Sequence, residues 1–120
     1  MVDSFDGKSL RPLARELLVA LRQKGCGIDI WSAGGAEYAE RVAQRVGIRD
    51  LVGTFWTKDR GANGKWTLPL ELAEITVVCV DDQPDGVPSN VESIGVFPYL
   101  GANPYDQVLR KLLDRARIVP

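Results

Sequence analysis

Apolar residues recur at helical spacing from the start of the chain. Leu10, Leu13, Ala14, Leu17, Leu18 and Leu21 fall on one stripe, which predicts an α-helix over Leu10 to Lys24. Ser9 is placed to cap it, Pro12 suits its first turn and Gly25 stops it. A short strand follows at Gly27 to Trp31, then a turn at Ser32-Ala33-Gly34-Gly35. Glu37 to Val46 predicts a second helix, with Tyr38, Ala39, Val42, Ala43 and Val46 on one face and Gly47 after it. Leu51 to Thr57 is rich in β-branched and aromatic residues and predicts a strand. Lys58 to Gly64 is polar and glycine-containing, hence a loop, and Leu68 to Glu74 is at most a short helix.

The run Ile75-Thr76-Val77-Val78-Cys79-Val80 shows no alternation. Such a run predicts a strand buried on both faces, as in a parallel sheet covered by helices. Asp81-Asp82-Gln83-Pro84-Asp85-Gly86 breaks it, Ser93 to Phe97 predicts a fourth strand, and Pro104 to Arg117 a closing helix. Strands alternating with helices give an α/β class with a parallel sheet, in one domain over residues 1–120. Ligands of open α/β sheets bind at the carboxyl ends of strands. Polar residues stand there at Ser32 and at Asp81-Asp82, with Lys65 in the loop between and Lys58 as its competitor.

Composition narrows the chemistry. A net charge of -1 gives no bulk attraction to nucleic acid or to an anionic membrane. No apolar run approaches the roughly 20 residues of a membrane span. Met1-Val2-Asp3-Ser4-Phe5-Asp6 carries carboxylates where a secretion signal needs a basic start, so the expected location is cytoplasmic. The sequence contains 0 histidines, which excludes Ser-His-Asp and Cys-His nucleophile systems and His-ligated zinc. Cys26 and Cys79 lie in or beside apolar segments and are expected to be buried packing residues. What remains is chemistry on carboxylates, hydroxyls and lysines, with a hard metal ion.

Asp81-Asp82 fits that chemistry best. Two carboxylates directly after a buried strand repel each other and lose hydration unless a cation sits beside them. Mg²⁺ with oxygen ligands would remove that cost, while exposure in an ordinary turn would avoid it. The Ser32 hydroxyl, with the N–H groups of Ala33 and Gly34 at a helix start, suits a phosphate oxygen or simply caps the helix. Lys65 or Lys58 would neutralise a phosphoryl group.

A hydroxyl after one strand, then a lysine, then an acidic pair after a later strand is the order of motifs II, III and IV in the haloacid dehalogenase (HAD) superfamily. Ile28-Asp29-Ile30-Trp31-Ser32-Ala33-Gly34-Gly35 followed by Glu37-Tyr38-Ala39 and Val42 resembles one HAD branch: the small phosphatases acting on the carboxy-terminal domain of RNA polymerase II, and their bacterial relatives. Lys65 precedes Asp81 by 16 positions, a spacing similar to that branch's. Val80-Asp81-Asp82-Gln83-Pro84 and the segment Asn90 to Leu113, with Phe97-Pro98-Tyr99-Leu100-Gly101, Asp106 and Leu109, resemble its later motifs. The resemblance covers roughly residues 10–115. It implies a three-layer, Rossmann-like HAD fold and a Mg²⁺-dependent phosphomonoester hydrolase acting on a phosphorylated substrate. Ser32 then binds the phosphoryl oxygen, Lys65 stabilises the phosphorylated intermediate, and Asp81 with Asp82 holds Mg²⁺. The span from Ser32 to Lys65 holds only a helix and a strand, so no cap domain is expected.

One family motif is absent. The nucleophile and general acid/base of this family come from D-x-D-x-T/V at the end of the first strand, and the chain contains no such motif. Asp3-Ser4-Phe5-Asp6-Gly7 has one residue too many between its carboxylates, and only Met1 and Val2 precede Asp3. The first strand is therefore expected to be missing or very short. Three accounts fit: motif I lies upstream of Met1, Asp3 or Asp6 acts from a minimal strand, or the domain is a HAD derivative that binds without catalysing. Without that strand, the one ending at Ser32 must pair with the one ending at Asp81, or a partner chain, as in a homodimer, must fill the gap. A receiver domain is excluded by motif order, because its acidic pair follows the first strand. An interaction domain would use Trp56, Trp66, Tyr99 and Tyr105 at its surface.

Overall fold

The computed structural model describes residue 3 and residues 7–61, 64–83, 86–88, 91–100 and 103–117. In chain order the elements are α1 (Ala14–Gln23), β1 (Asp29–Ser32), α2 (Ala36–Val46), β2 (Thr54–Thr57), β3 (Asp59–Arg60), β4 (Trp66–Thr67), β5 (Val78–Asp81), β6 (Glu92–Gly95) and α3 (Arg110–Ala116). Two 3₁₀ turns, Arg49–Leu51 and Leu70–Leu72, complete them. The class is α/β, with three helices and short parallel sheets, compatible with a HAD-like fold.

The sheet is not one continuous layer among the described residues. β1 pairs in parallel with β2, placing Ser32 opposite Thr57. β5 pairs in parallel with β6, placing Asp81 opposite Gly95. β3 and β4 form a small antiparallel ribbon, with β3 inside the segment 58–64 expected to be a loop and β4 just after it. The strand ending at Ser32 therefore does not pair with the strand ending at Asp81. Asp3 makes an isolated antiparallel bridge to Leu10, and Asp6 lies outside the described residues.

Two apolar clusters share α1. Leu18 meets Ile28, Ala43, Ile48, Leu51 and Val52, joining α1 to β1, α2 and the first 3₁₀ turn. Ala14, Leu17 and Ala20 meet Leu109 and Leu113, joining α1 to the closing helix. A buried ion pair locks the second cluster. Arg11 is 1% exposed, with Nε 3.2 Å from Asp106 Oδ1 and Nη2 3.3 Å from Oδ2, and its guanidinium lies 5.5 Å from the Tyr99 ring centroid.

That pair also explains where two helices depart from their predicted bounds. α1 starts at Ala14 rather than Leu10, because Arg11 is drawn into the interior and Leu13 turns into the left-handed region at φ 70. α3 starts at Arg110 rather than near Pro104. Ahead of it, Asn103 Oδ1 accepts the Tyr105 N–H and Asp106 Oδ1 accepts the Val108 N–H. Side chains of Asn and Asp that bond nearby backbone in this way compete with helix formation.

Three further expectations are corrected. Cys26 is exposed, because it sits in the turn after α1 with its N–H on the Leu21 carbonyl. Tyr99 is buried against Arg11, so it offers no interaction surface. The apolar run before Asp81 is not buried on both faces: Ile75 is 60% and Val78 46% exposed. β5 has one strand neighbour among the described residues, which leaves its other edge uncovered.

Candidate functional site

The carboxyl ends of β1, β2 and β5 converge on Lys58. Its backbone N–H extends the β1–β2 ladder by donating to the Ser32 carbonyl at 2.8 Å. Its ammonium donates to Asp81 Oδ2 at 3.0 Å and to the Gly86 carbonyl at 2.8 Å. The same Nζ lies 4.8 Å from the Trp31 ring centroid and 5.6 Å from that of Trp66. The two indoles meet edge-on with centroids 6.5 Å apart, and Arg60 covers Trp66 at 4.6 Å. Aromatic faces attract a cation through their quadrupoles, and more strongly as water is excluded. The Lys58 side chain is only 9% exposed, so its charge is held by this cage rather than by solvent.

Asp81 is anchored from two sides. Oδ2 takes the Lys58 ammonium and Oδ1 accepts the Gln83 N–H at 2.9 Å. Burial pushes its carboxyl up, but the Gln83 N–H and the Lys58 ammonium outweigh that and hold it below the usual carboxylate range. Asp82, the next residue, adds the smallest of the downward pulls on Asp81. The Cys79 thiol is pushed up by burial and by the Asp81 charge, against the opposing pull of Lys58.

On the other side of Lys58, the turn after β1 is closed internally. Ser32 Oγ accepts the Gly34 N–H at 3.1 Å, and Thr57 Oγ1 accepts the Ala36 N–H at 2.9 Å. Thr57 thus caps α2 from β2, the role Ser32 was a candidate for. Gly34 lies tightly under Tyr38, where a Cβ would come within 3.0 Å of the ring. Tyr38 also reaches the N-terminal segment. A Cβ on Gly7 would lie 3.3 Å from its hydroxyl and 3.7 Å from Asp3 Oδ2.

Of the residues predicted from sequence, Ser32 and Asp81 are joined through Lys58. Lys65 lies on the exposed approach to β4, where its carbonyl accepts the Gly61 N–H. The lysine that meets Asp81 is Lys58. Trp31, Trp66 and Thr57 were not singled out as site residues. The strand-end rule that selected Ser32 and Asp81 also selects Thr57, which ends β2, and Lys58, which follows it; Trp31 stood only within the resembling stretch and Trp66 only among the candidate surface aromatics.

No cluster of three or more His, Cys, Asp or Glu occurs among the described residues. Asp81 and Asp82 do supply adjacent hard oxygen donors, and Mg²⁺ commonly takes one or two carboxylates while keeping waters and substrate oxygens. The donor set fits Mg²⁺ in that way. No helix of the described residues is long and apolar enough to cross a membrane.

The family profile described as NLI interacting factor-like phosphatase matches residues 6–119. No curated protein and no solved structure matches the chain.

Proposed function

The chain belongs to the NLI interacting factor-like phosphatase family, a HAD-superfamily family of carboxy-terminal-domain phosphatases, and from that premise we propose that it carries a Mg²⁺-dependent phosphomonoester hydrolase site at the carboxyl ends of β1, β2 and β5. The observation that carries this reading is the Lys58 ammonium, held between two indoles and pointed at Asp81. A caged cation beside an ionised carboxylate suits a transferring phosphoryl group, whose charge needs both positive counter-charge and a metal anchor.

Within this proposal Asp81 and Asp82 hold Mg²⁺, which when bound polarises the phosphoryl oxygens. Ser32, Ala33 and Gly34 orient the phosphate at the start of α2. Gly34 can serve only by exchanging its bond to Ser32 Oγ for one to the ligand. Lys58 supplies the positive charge by geometry, while the family resemblance assigns that role to Lys65. The nucleophile would be a carboxylate, Asp3 or Asp6 in this chain. Without a cap over the strand ends, the substrate class open to such a site includes phosphorylated macromolecules.

A second reading, a HAD-derived domain that binds without hydrolysing, is favoured by the absence of D-x-D-x-T/V. One experiment separates them: hydrolysis of p-nitrophenyl phosphate with and without Mg²⁺, using the wild-type chain, Asp81→Asn, Lys58→Met and Lys65→Met. Turnover that needs Mg²⁺, Asp81 and Lys58 supports the hydrolase. Mg²⁺-dependent binding of inorganic phosphate without turnover, lost in Asp81→Asn, supports the binding domain. Turnover indifferent to Mg²⁺ and Asp81 overturns both.

A further inference from the structure

Lys58 Nζ rests on two hard oxygens, Asp81 Oδ2 at 3.0 Å and the Gly86 carbonyl at 2.8 Å. The ammonium thus stands against the carboxylate that the proposed function gives to Mg²⁺. Asp81 Oδ1 accepts the Gln83 N–H, so Oδ2 is the oxygen that faces a cation. Mg²⁺ takes carboxylate oxygens at about 2.0–2.1 Å. An ion on Oδ2 and an ammonium 3.0 Å from that oxygen would stand at most about 5 Å apart. Two cations that close repel each other, and the mostly buried side chains of Lys58 and Asp81 leave little water to screen them.

The backbone is shaped to hold the ammonium at this place. A Cβ on Gly86 would fall 3.1 Å from Asp81 Oδ2 and 3.1 Å from Lys58 Nζ, so a glycine is what lets this carbonyl come close. The ammonium also has a second set of partners. The Trp31 and Trp66 ring centroids lie 4.8 and 5.6 Å from Nζ, and ring faces attract a cation without any carboxylate. The Lys58 backbone is fixed by its N–H on the Ser32 carbonyl, which confines movement to the side chain. A lysine stem is flexible, so Nζ can leave the two oxygens while the indoles still hold it.

We propose that the Lys58 ammonium is an internal competitor for the cation position on Asp81: it closes the carboxylate to Mg²⁺ until it yields to the ion, and only then is its charge available to a phosphoryl group. This rests on the phosphatase reading and adds an order of binding to it, divalent ion first and phosphate second. A phosphate arriving first meets a lysine whose charge is committed to Asp81 and Gly86. The metal affinity is then set by competition. A ligand that needs a resident group to move binds more weakly in proportion to the fraction of molecules in which that group has moved.

The test is calorimetric titration of MgCl₂ into the full chain, for wild type, Lys58→Met and Arg60→Met. Arg60 lies over the same Trp66 ring, so its loss removes a positive charge from the cage but leaves the ammonium on Asp81. Lys58→Met should bind Mg²⁺ about tenfold more tightly than wild type, and Arg60→Met should stay within about threefold of it. A second measurement needs no variant: acetylation of wild-type lysines by acetic anhydride, read peptide by peptide by mass spectrometry. Saturating Mg²⁺ should raise labelling of Lys58 about threefold or more relative to the exposed Lys111. Equal or weaker Mg²⁺ binding by Lys58→Met, an equal gain in Arg60→Met, or Lys58 labelling unchanged by Mg²⁺ overturns the competition. Should Lys58→Met fail to fold, the labelling decides alone. Mg²⁺ binding of equal strength in all three chains refutes the competitor and leaves the phosphatase reading standing. Absence of Mg²⁺ binding in all three refutes the metal site, and with it both readings.

Discussion

Lys58 Nζ stands 3.0 Å from Asp81 Oδ2, linking the residue that leaves β2 to the residue that ends β5. With the two parallel ribbons unpaired to each other, this side-chain bond is a direct tie between them at the site. Replacing Lys58 by Met keeps its apolar stem but leaves Asp81 without its ammonium partner. The expected loss is about 1–3 kcal/mol of unfolding free energy by urea titration. Lys65→Met, at an exposed position, should stay within about 0.5 kcal/mol of wild type. Equal losses for the two variants would contradict the cage.

The same contact predicts a pH dependence. The Asp81 carboxyl is held below its ordinary 3.8 in the folded chain, chiefly because the Gln83 N–H and Lys58 overcome the opposing effect of burial. A lowered folded value means that the unfolded chain takes up the proton first as pH falls. The contribution is therefore complete well above 3.8 and is lost as pH falls through the folded value. Thermal midpoints measured from pH 7 down to pH 2 should fall more steeply for wild type than for Asp81→Asn below about pH 4. Parallel curves would show that the contact does not bias ionisation.

How much of this was legible beforehand depends on what each residue answers to. The stripe Leu10 to Leu21 and the face Tyr38 to Val46 show themselves through periodicity, and α1 and α2 formed there. Ser32 and Asp81 stand at strand ends, which local pattern can locate. Lys58 against Lys65 is different, because the choice turns on which backbone reaches β5, a long-range matter. Arg11 and Asp106 lie 95 positions apart, and nothing local announces their pairing. The apolar run before Asp81 reads as a central strand from its composition, whereas its burial turns on long-range pairing: β5 has one strand neighbour among the described residues and Val78 is half exposed.

That Arg11–Asp106 pair should behave as a buried one. Arg11 has 0% and Asp106 10% side-chain exposure. Removing one partner strands the other's charge in low dielectric, at a cost of about 3–5 kcal/mol. Asp106→Asn should approach that cost in urea unfolding. Arg11→Met combined with Asp106→Leu should recover much of it, since two apolar residues leave no charge behind. A double variant no more stable than Asp106→Asn would mean that the guanidinium earns its place through Tyr99 and its other contacts.

Thr57 offers a test of how the site's first turn is held. Its Oγ1 accepts the Ala36 N–H at 2.9 Å, while Gly35 before it has no side chain to cap α2. Thr57→Val keeps the shape and the β-branching that suits β2 but removes the acceptor. The cap should be worth about 1 kcal/mol by urea unfolding, and Thr57→Ser should retain most of it. Because Ala36 opens the helix that carries Tyr38 over Gly34, the loss should also loosen the Ser32 turn. Hydrogen exchange at Gly34 and Ala36 should therefore accelerate in Thr57→Val and not in Thr57→Ser. Acceleration at Ala36 alone would show that the helix frays without disturbing Ser32, and that the turn is held by its own Ser32–Gly34 bond.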